Sequence, residues 1–294
     1  MTVSLCLGSA QFGLRYGITN SDGKVSEDVA KEITRYAASS GFKYVDTAQG
    51  YGNAEEVLGK CGANELGMGI IDKVDVGKKR TLNETDVVKW RQSLGESMRV
   101  MGCKQLDTIM IHNAECLQWE GSECIKNWLK EVKDGGQARR IGVSIYECSV
   151  LDNIEREYLD VVQIPLSIYD QRAIKDKRIQ HLVDKETAIH CRSIFLQGLL
   201  AIPAERWPKW TSRHAREHHK QLEMYAHSKG RSLAGVALEY IKSQKDVETA
   251  VVGICDMRQL NEISSEWNRR DCISGEDWVR WKLGDVKLLD PRYW

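Results

Sequence analysis

Apolar and polar positions along this chain follow two rhythms. Short runs of apolar, β-favouring residues recur at "VSLCLGSA" (3–10), "YVDT" (44–47), "GIIDKV" (69–74), "LDTIMIH" (106–112), "ARRIGVSI" (138–145), "DVVQIP" (160–165), "TAIHCRSIF" (187–195) and "ETAVVGI" (248–254). Between them, segments such as "SEDVAKEITRYAASSG", "DVVKWRQSLGESMRVMG" and "SLAGVALEYIKSQ" repeat their apolar residues at helical spacing. In the first of these, Ser26 is placed to cap a helix and Gly41 to stop it, since each satisfies backbone groups orphaned at a helix end. Eight expected strands alternate with helices and no hairpin turn joins neighbours. Adjacent strands must therefore run parallel, because short hairpin loops cannot connect parallel strands. That leaves a closed eightfold barrel or a doubly wound open sheet, and the count of eight favours the (β/α)8 barrel of the TIM type. Only four prolines occur and no Gly/Ser-rich stretch divides the chain, so residues 1–294 are expected to form one domain.

A barrel of this kind gathers reactive groups at the carboxyl ends of its strands. The polar residues there are Ser9, Asp46, Lys73, His112, Ser144, Gln163 and Arg192, and Tyr51 follows Asp46 within "DTAQGYGNAEEVLG". Taken singly, each has an ordinary explanation: Asp46 as a cap, Lys73 snorkelling to solvent, His112 as a hydrogen-bonded core residue, Tyr51 as packing. An acid, a phenol, a lysine and a histidine on three successive strands and one loop point together to a site.

Composition narrows the partners. Lys+Arg and Asp+Glu are equal at 42 each, which leaves no net field to draw nucleic acid or an anionic membrane surface. The nine cysteines are scattered and never spaced C-x-x-C, against both a disulfide framework and a zinc knuckle. "VSLCLG" is too short for a signal or spanning segment, so a soluble protein of the reducing cytoplasm is expected. Three further signals carry less. "GSAQFG" has the glycine spacing of a phosphate loop but lacks the following Lys and Ser/Thr. His214 and His218 lie one helical turn apart in "RHAREHHK", which reads as a solvated face. Trp207 and Trp210, in the polar stretch "AERWPKWTSR", are expected to form a flexible wall of a substrate pocket.

The ensemble resembles the aldo-keto reductases. "DTAQGYGNAEEVLG" is similar to that family's Asp-to-Tyr segment, "IIDKV" to its lysine strand and "IMIHN" to its histidine strand, while "RIGVS", "VVQIP", "GLL" (198–200) and "VVGICDMRQLNEI" (251–263) follow in family order. "FLQGLL" with "DPRYW" is similar to a bacterial branch often associated with surface-sugar gene clusters. The resemblance implies NADPH-dependent reduction of an aldehyde or ketone, possible keto-sugars included, with Asp46, Tyr51, Lys73 and His112 as the catalytic set. It implies cofactor binding by Gly8, Ser9 and Asp46 and by Ser144 and Gln163, which would hold the carboxamide. It extends that set to Arg192, Ser193, Leu196 and Gln197 after the seventh strand, and Gly253, Arg258, Gln259 and Glu262 after the eighth. Arg258 is the charge that favours NADPH over NADH. The chain departs from the family's commoner pattern at Ile145, Arg192 and Ile263, and it opens almost directly on "LCLGSAQFG", so the hairpin that usually plugs the barrel is expected to be absent. Arg192 stands where an aromatic ring is usual, and its planar guanidinium can stack on a nicotinamide in its place.

The chemistry fits the residues. A tyrosine of pKa about 10 needs help to exchange a proton near neutrality. Lys73 can favour the phenolate, Asp46 can hold Lys73, and His112 can donate to the substrate oxygen. Two other readings stand beside this one: a cofactor-binding regulatory subunit with little turnover, and a barrel hydrolase or aldolase using Lys73 as a Schiff-base amine.

Overall fold

The computed structural model describes residues 2–294 apart from 19, 21, 78, 79 and 274. Eight strands run β1 (Ser4–Gly8), β2 (Tyr44–Asp46), β3 (Gly69–Val74), β4 (Leu106–Ile111), β5 (Ala138–Ser144), β6 (Val161–Pro165), β7 (Ala188–Arg192) and β8 (Val247–Gly253). All pair in parallel and in chain order, and β8 closes on β1. The helices are α1 (Ala10–Gly13), α2 (Glu27–Ser39), α3 (Ala54–Cys61), α4 (Glu84–Val100), α5 (Glu123–Asp134), α6 (Lys177–Asp184), α7 (Arg213–Ser228), α8 (Leu233–Lys242), α9 (Met257–Trp267) and α10 (Val286–Leu289). Every expected strand is present, and the expected barrel with it.

Local chemistry sets the helix limits. The Ser26 side chain accepts from the Val29 amide at the start of α2, and Gly41, at φ 89°, lies just beyond its end. Helix α4 starts two residues before the periodic segment, because Asn83 and Asp86 form a reciprocal capping box.

Cys6, Ile71, Met110 and Val161 pack together inside the barrel, while the outer faces of the strands join the main core beneath the helices. No strand precedes β1 among the described residues. At the amino ends of the strands Arg140 bridges Asp107 and Glu248, each at 2.7 Å, and His190 lies 3.2 Å from Glu248. This charged cluster occupies the end of the barrel opposite the site.

The reading of Trp207 as pocket wall is corrected. Its ring is 3% exposed, its Nε1 donates to the Leu199 carbonyl at 2.9 Å, and it packs 4.5 Å from the His219 ring. Satisfying the indole N–H lets it enter the core although its sequence neighbours are polar. Trp210 is half exposed and stacks on Trp294 at 5.3 Å. Neither lines the main cleft. His218 bonds the Trp281 carbonyl, and no group of three potential ligands is placed to hold a metal among the described residues. Among those residues, no helix is long and apolar enough to cross a membrane.

Candidate active site

The segment after β2 keeps following β3. Thr47 donates to the Ile71 carbonyl and Gln49 to the Lys73 carbonyl, then a turn closed by Tyr51 N–H on Ala48 swings Tyr51 back over the strand ends. Gly13 fits beside this turn only for lack of a side chain, since a Cβ there would lie 1.7 Å from the Tyr51 carbonyl oxygen. The parallel register brings Gly8 opposite Asp46 and Gly253, and Ser144 opposite Gln163, so the expected residues meet at one end of the barrel.

Lys73 is fully buried. Its Nζ donates to Asp46 Oδ1 at 2.5 Å and to the Thr47 carbonyl at 2.8 Å, and it sits 5.4 Å from the Tyr51 ring centre. Gln163 Nε2 donates to the second carboxylate oxygen of Asp46 at 2.8 Å. The His112 ring meets Tyr51 edge-on, with centres 5.7 Å apart.

Electrostatics alter one expectation. Burial opposes the charge on Lys73, but Asp46 and Tyr51 outweigh it and hold its pKa above the ordinary lysine value. A charged, ion-paired ammonium is no nucleophile, which disfavours the Schiff-base reading. Tyr51 was expected to be drawn toward neutrality by Lys73. Instead burial raises its pKa, with Lys73 and Arg192 offsetting only part of the rise and Asp46 adding to it. Tyr51 therefore stays protonated through neutral pH and has a proton to give. Burial, then the Lys73 and Arg192 charges, push His112 down to about 4, so it is neutral and keeps one ring N–H.

Beside this cluster opens a cavity of about 430 Å³. Gly8, Ser9, Asp46, Tyr51 and Gly253 face it from the strand ends; Arg192, Ser193 and Gln197 face it after β7; Arg258, Gln259 and Glu262 face it from α9. Leu196, by contrast, is 1% exposed and lies behind the cavity wall. Ser144 and Gln163 are buried beside Arg192 and Asp46. Non-glycine residues Ser193, Leu196 and Gln197 all take positive φ, at 62°, 46° and 52°. This strained turn carries the Gln197 carbonyl over to the Ile18 amide, 3.1 Å away, and joins two loops at the cavity's edge.

Sequence reasoning passed over Gln11, Tyr16 and Tyr146. Gln11 and Tyr16 line the cavity, and the spacing of Gly13 and Gly17 around them was the available signal. Tyr146 explains Arg192. That guanidinium stacks 4.1 Å from the Tyr146 ring and donates to the Ile145 carbonyl at 3.0 Å. Arg292 lies 4.1 Å from the centre of the same ring, so two cations share it. Arg292 is paired with Asp290 at 2.6 Å, whereas Arg192 has no carboxylate partner among the described residues.

A sequence profile of the Aldo/keto reductase family matches residues 4–281. The chain belongs to this family. Among curated relatives, L-galactose dehydrogenase of Arabidopsis thaliana is 26% identical over 257 residues, covering 82% of this chain and 78% of its own. The 7-acetyl-epi-neemfruitin B aldo-keto reductase of Melia azedarach is 24% identical over 278 residues, covering 88% and 78%. An aldo-keto reductase of Bacillus halodurans in its holo form shares the fold at TM-score 0.73 and 18% identity, over 98% of this chain and 93% of its own. One from Klebsiella pneumoniae, in complex with NADP and acetate, does so at 0.68 and 17%, over 98% and 95%. Like these relatives, this aldo-keto reductase is an oxidoreductase built on a (β/α)8 barrel.

Proposed function

We propose that this aldo-keto reductase uses NADPH to reduce a small aldehyde or ketone, keto-sugars included, to an alcohol in the cytoplasm, with Tyr51 as general acid. The observation that carries the reading is Tyr51 at the cavity edge, its ring 5.4 Å from the Nζ of the buried Lys73–Asp46 pair and edge-on to His112. His112 orients a carbonyl oxygen by donating to it, and Tyr51 delivers the proton that completes the alcohol. Lys73 stabilises the phenolate left behind, and Asp46 fixes the ammonium.

The cavity's polar groups suit a dinucleotide. Ser9 Oγ and Gln11 Oε1 are buried, face the cavity side of β1 and have no partner among the described residues. The amino end of α9 and Arg258, whose side chain is 88% exposed and meets Asp256 only at 3.5 Å, suit an anionic phosphate. Gly8, Ser193, Gln197, Gly253, Gln259 and Glu262 would line the same bound molecule, and Leu196 would support that wall from behind. A reduced nicotinamide, when bound, supplies the hydride. The test is loss of NADPH fluorescence against a panel of aldehydes and keto-sugars; binding of NADPH without turnover of any of them would favour the regulatory-subunit reading.

Two measurements check the cofactor assignment. NADPH is expected to bind more tightly than NADH, by a margin that shrinks with salt as the Arg258 contact is screened, and Arg258→Ala should remove most of it. Equal affinities at low salt would refute this. Arg192, a cation whose partners among the described residues are all neutral, should also disfavour the cationic oxidised nicotinamide. An NADPH-over-NADP affinity ratio of roughly tenfold lies well within the repulsion of two charges a few Å apart at an effective dielectric of about 20. Arg192→Gln should bring the ratio towards one; an unchanged ratio rules the effect out.

A further inference from the structure

Directly behind Lys73, on the outer face of β3, lies a second pair of ionisable groups that the proposed reaction does not use. Asp72 is fully buried and accepts the Lys73 amide on Oδ1 at 2.7 Å. Glu55, in the first turn of α3, lies within hydrogen-bonding reach of Asp72 and of the Ser97 hydroxyl on α4. Each carboxyl has one buried oxygen, Asp72 Oδ2 and Glu55 Oε1, that meets no donor among the described residues. Two such acids side by side require a proton between them, because both cannot ionise in a desolvated space.

The connections continue on both sides. Ser97 Oγ accepts from Gln49 Nε2 at 3.2 Å, and Gln49 Oε1 accepts the Asp75 amide at 3.3 Å. Gln49 belongs to the turn that carries Tyr51. The path thus runs from the Lys73 amide through Asp72, Glu55, Ser97 and Gln49 to the Asp75 amide, spanning β3, α3 and α4. We propose that Glu55 and Asp72 are positioning residues whose carboxyls share one proton, and that this proton closes a buried hydrogen-bond circuit holding the Tyr51 turn against the Lys73 strand. The site placement of Tyr51 and Lys73 rests on the reading above; the circuit does not.

The charged neighbours are Lys73 on β3, Glu56 on α3 and Glu96 on α4, with the Cys103 thiol just beyond α4. Burial is the main reason both carboxyls hold their proton above the usual range; Glu55 raises Asp72 further, while hydrogen bonding to Ser97 and Asp72 offsets part of the rise at Glu55. An acid whose folded pKa is raised stabilises the fold at low pH, and that contribution is lost as pH rises through the raised value. The circuit therefore opens as pH rises through the raised value.

Hydrogen exchange at the Thr47, Gln49 and Tyr51 amides, corrected for intrinsic rates, reads this without substrate or cofactor. In the wild type, protection of these amides should fall with rising pH by up to about tenfold per unit, the slope of one proton. Glu55→Gln and Asp72→Asn each supply a permanent N–H in place of the shared proton, so protection in both should be flat over the same range. An equal pH slope in wild type and both variants, or no slope in the wild type, overturns the proposal. Absence of turnover on every carbonyl would sink the functional reading and leave this measurement standing.

Discussion

Tyr51→Phe is expected to lower the rate of carbonyl reduction by roughly two to four orders of magnitude, the range a positioned general acid contributes. The substitution removes one oxygen. The ring that packs edge-on against His112 and beneath Lys73 remains, and no hydrogen bond from the Tyr51 hydroxyl is found among the described residues, so the fold loses no partner. NADPH affinity and thermal midpoint should therefore stay close to wild type. Such a split, with chemistry lost while binding and stability are kept, separates an acid from a structural residue. Stopped-flow turnover with fluorescence titration measures it, and comparable turnover in the variant would end the assignment. Because burial holds the phenol protonated, the reductive rate should show no ionisation of Tyr51 near neutrality.

Lys73→Met should harm both the reaction and the fold. Lys73 and Asp46 form a buried pair at 2.5 Å with side chains 1% and 5% exposed, and removing one member of such a pair typically costs about 3–5 kcal/mol. Met fills the volume but leaves the Asp46 carboxylate with Gln163 as its one side-chain donor among the described residues. Urea unfolding of the variant should show the loss, and adding Asp46→Asn should recover a large part of it because no charge then remains to be solvated. If the double variant is no more stable than Lys73→Met, the cost lies in packing rather than in the orphaned carboxylate. Turnover should stay low in both variants, since neither restores a cation beside the phenol.

The barrel was legible because strand and helix have different periods, and eight strands without hairpin turns admit few arrangements. Asp46, Tyr51, Lys73 and His112 were legible for a related reason: strand ends in a parallel barrel converge, so a sequence pattern becomes a place. Side-chain choices that depend on a distant partner were not. Trp207 reads as a flexible pocket wall beside "AERW" until the Leu199 carbonyl that accepts its N–H is seen. Arg192 reads as a stacking group for a cofactor until Tyr146 supplies a ring from the loop after β5. Asp72 and Glu55 read as two ordinary acids, because only the fold reveals that they share one buried space. The direction of the Tyr51 shift escaped as well, since burial cannot be weighed against a nearby charge before either is known.

The bond that finishes the site, and one that ties the opposite end of the barrel, are also among the longest in the chain. Asp46 and Gln163 are 117 residues apart, and Arg140 and Glu248 are 108 apart. At ribosomal speeds of about 5–20 residues per second, Asp46 emerges on the order of ten seconds before Gln163 can reach it. Through that interval a nascent chain holding β1 to β4 presents open strand edges, and its Asp46 carboxylate has Lys73 alone for company. The amino-terminal half should thus be the form most in need of chaperone shelter, and β8, which must find both β1 and β7, the strand whose arrival turns a sticky half-barrel into a closed one.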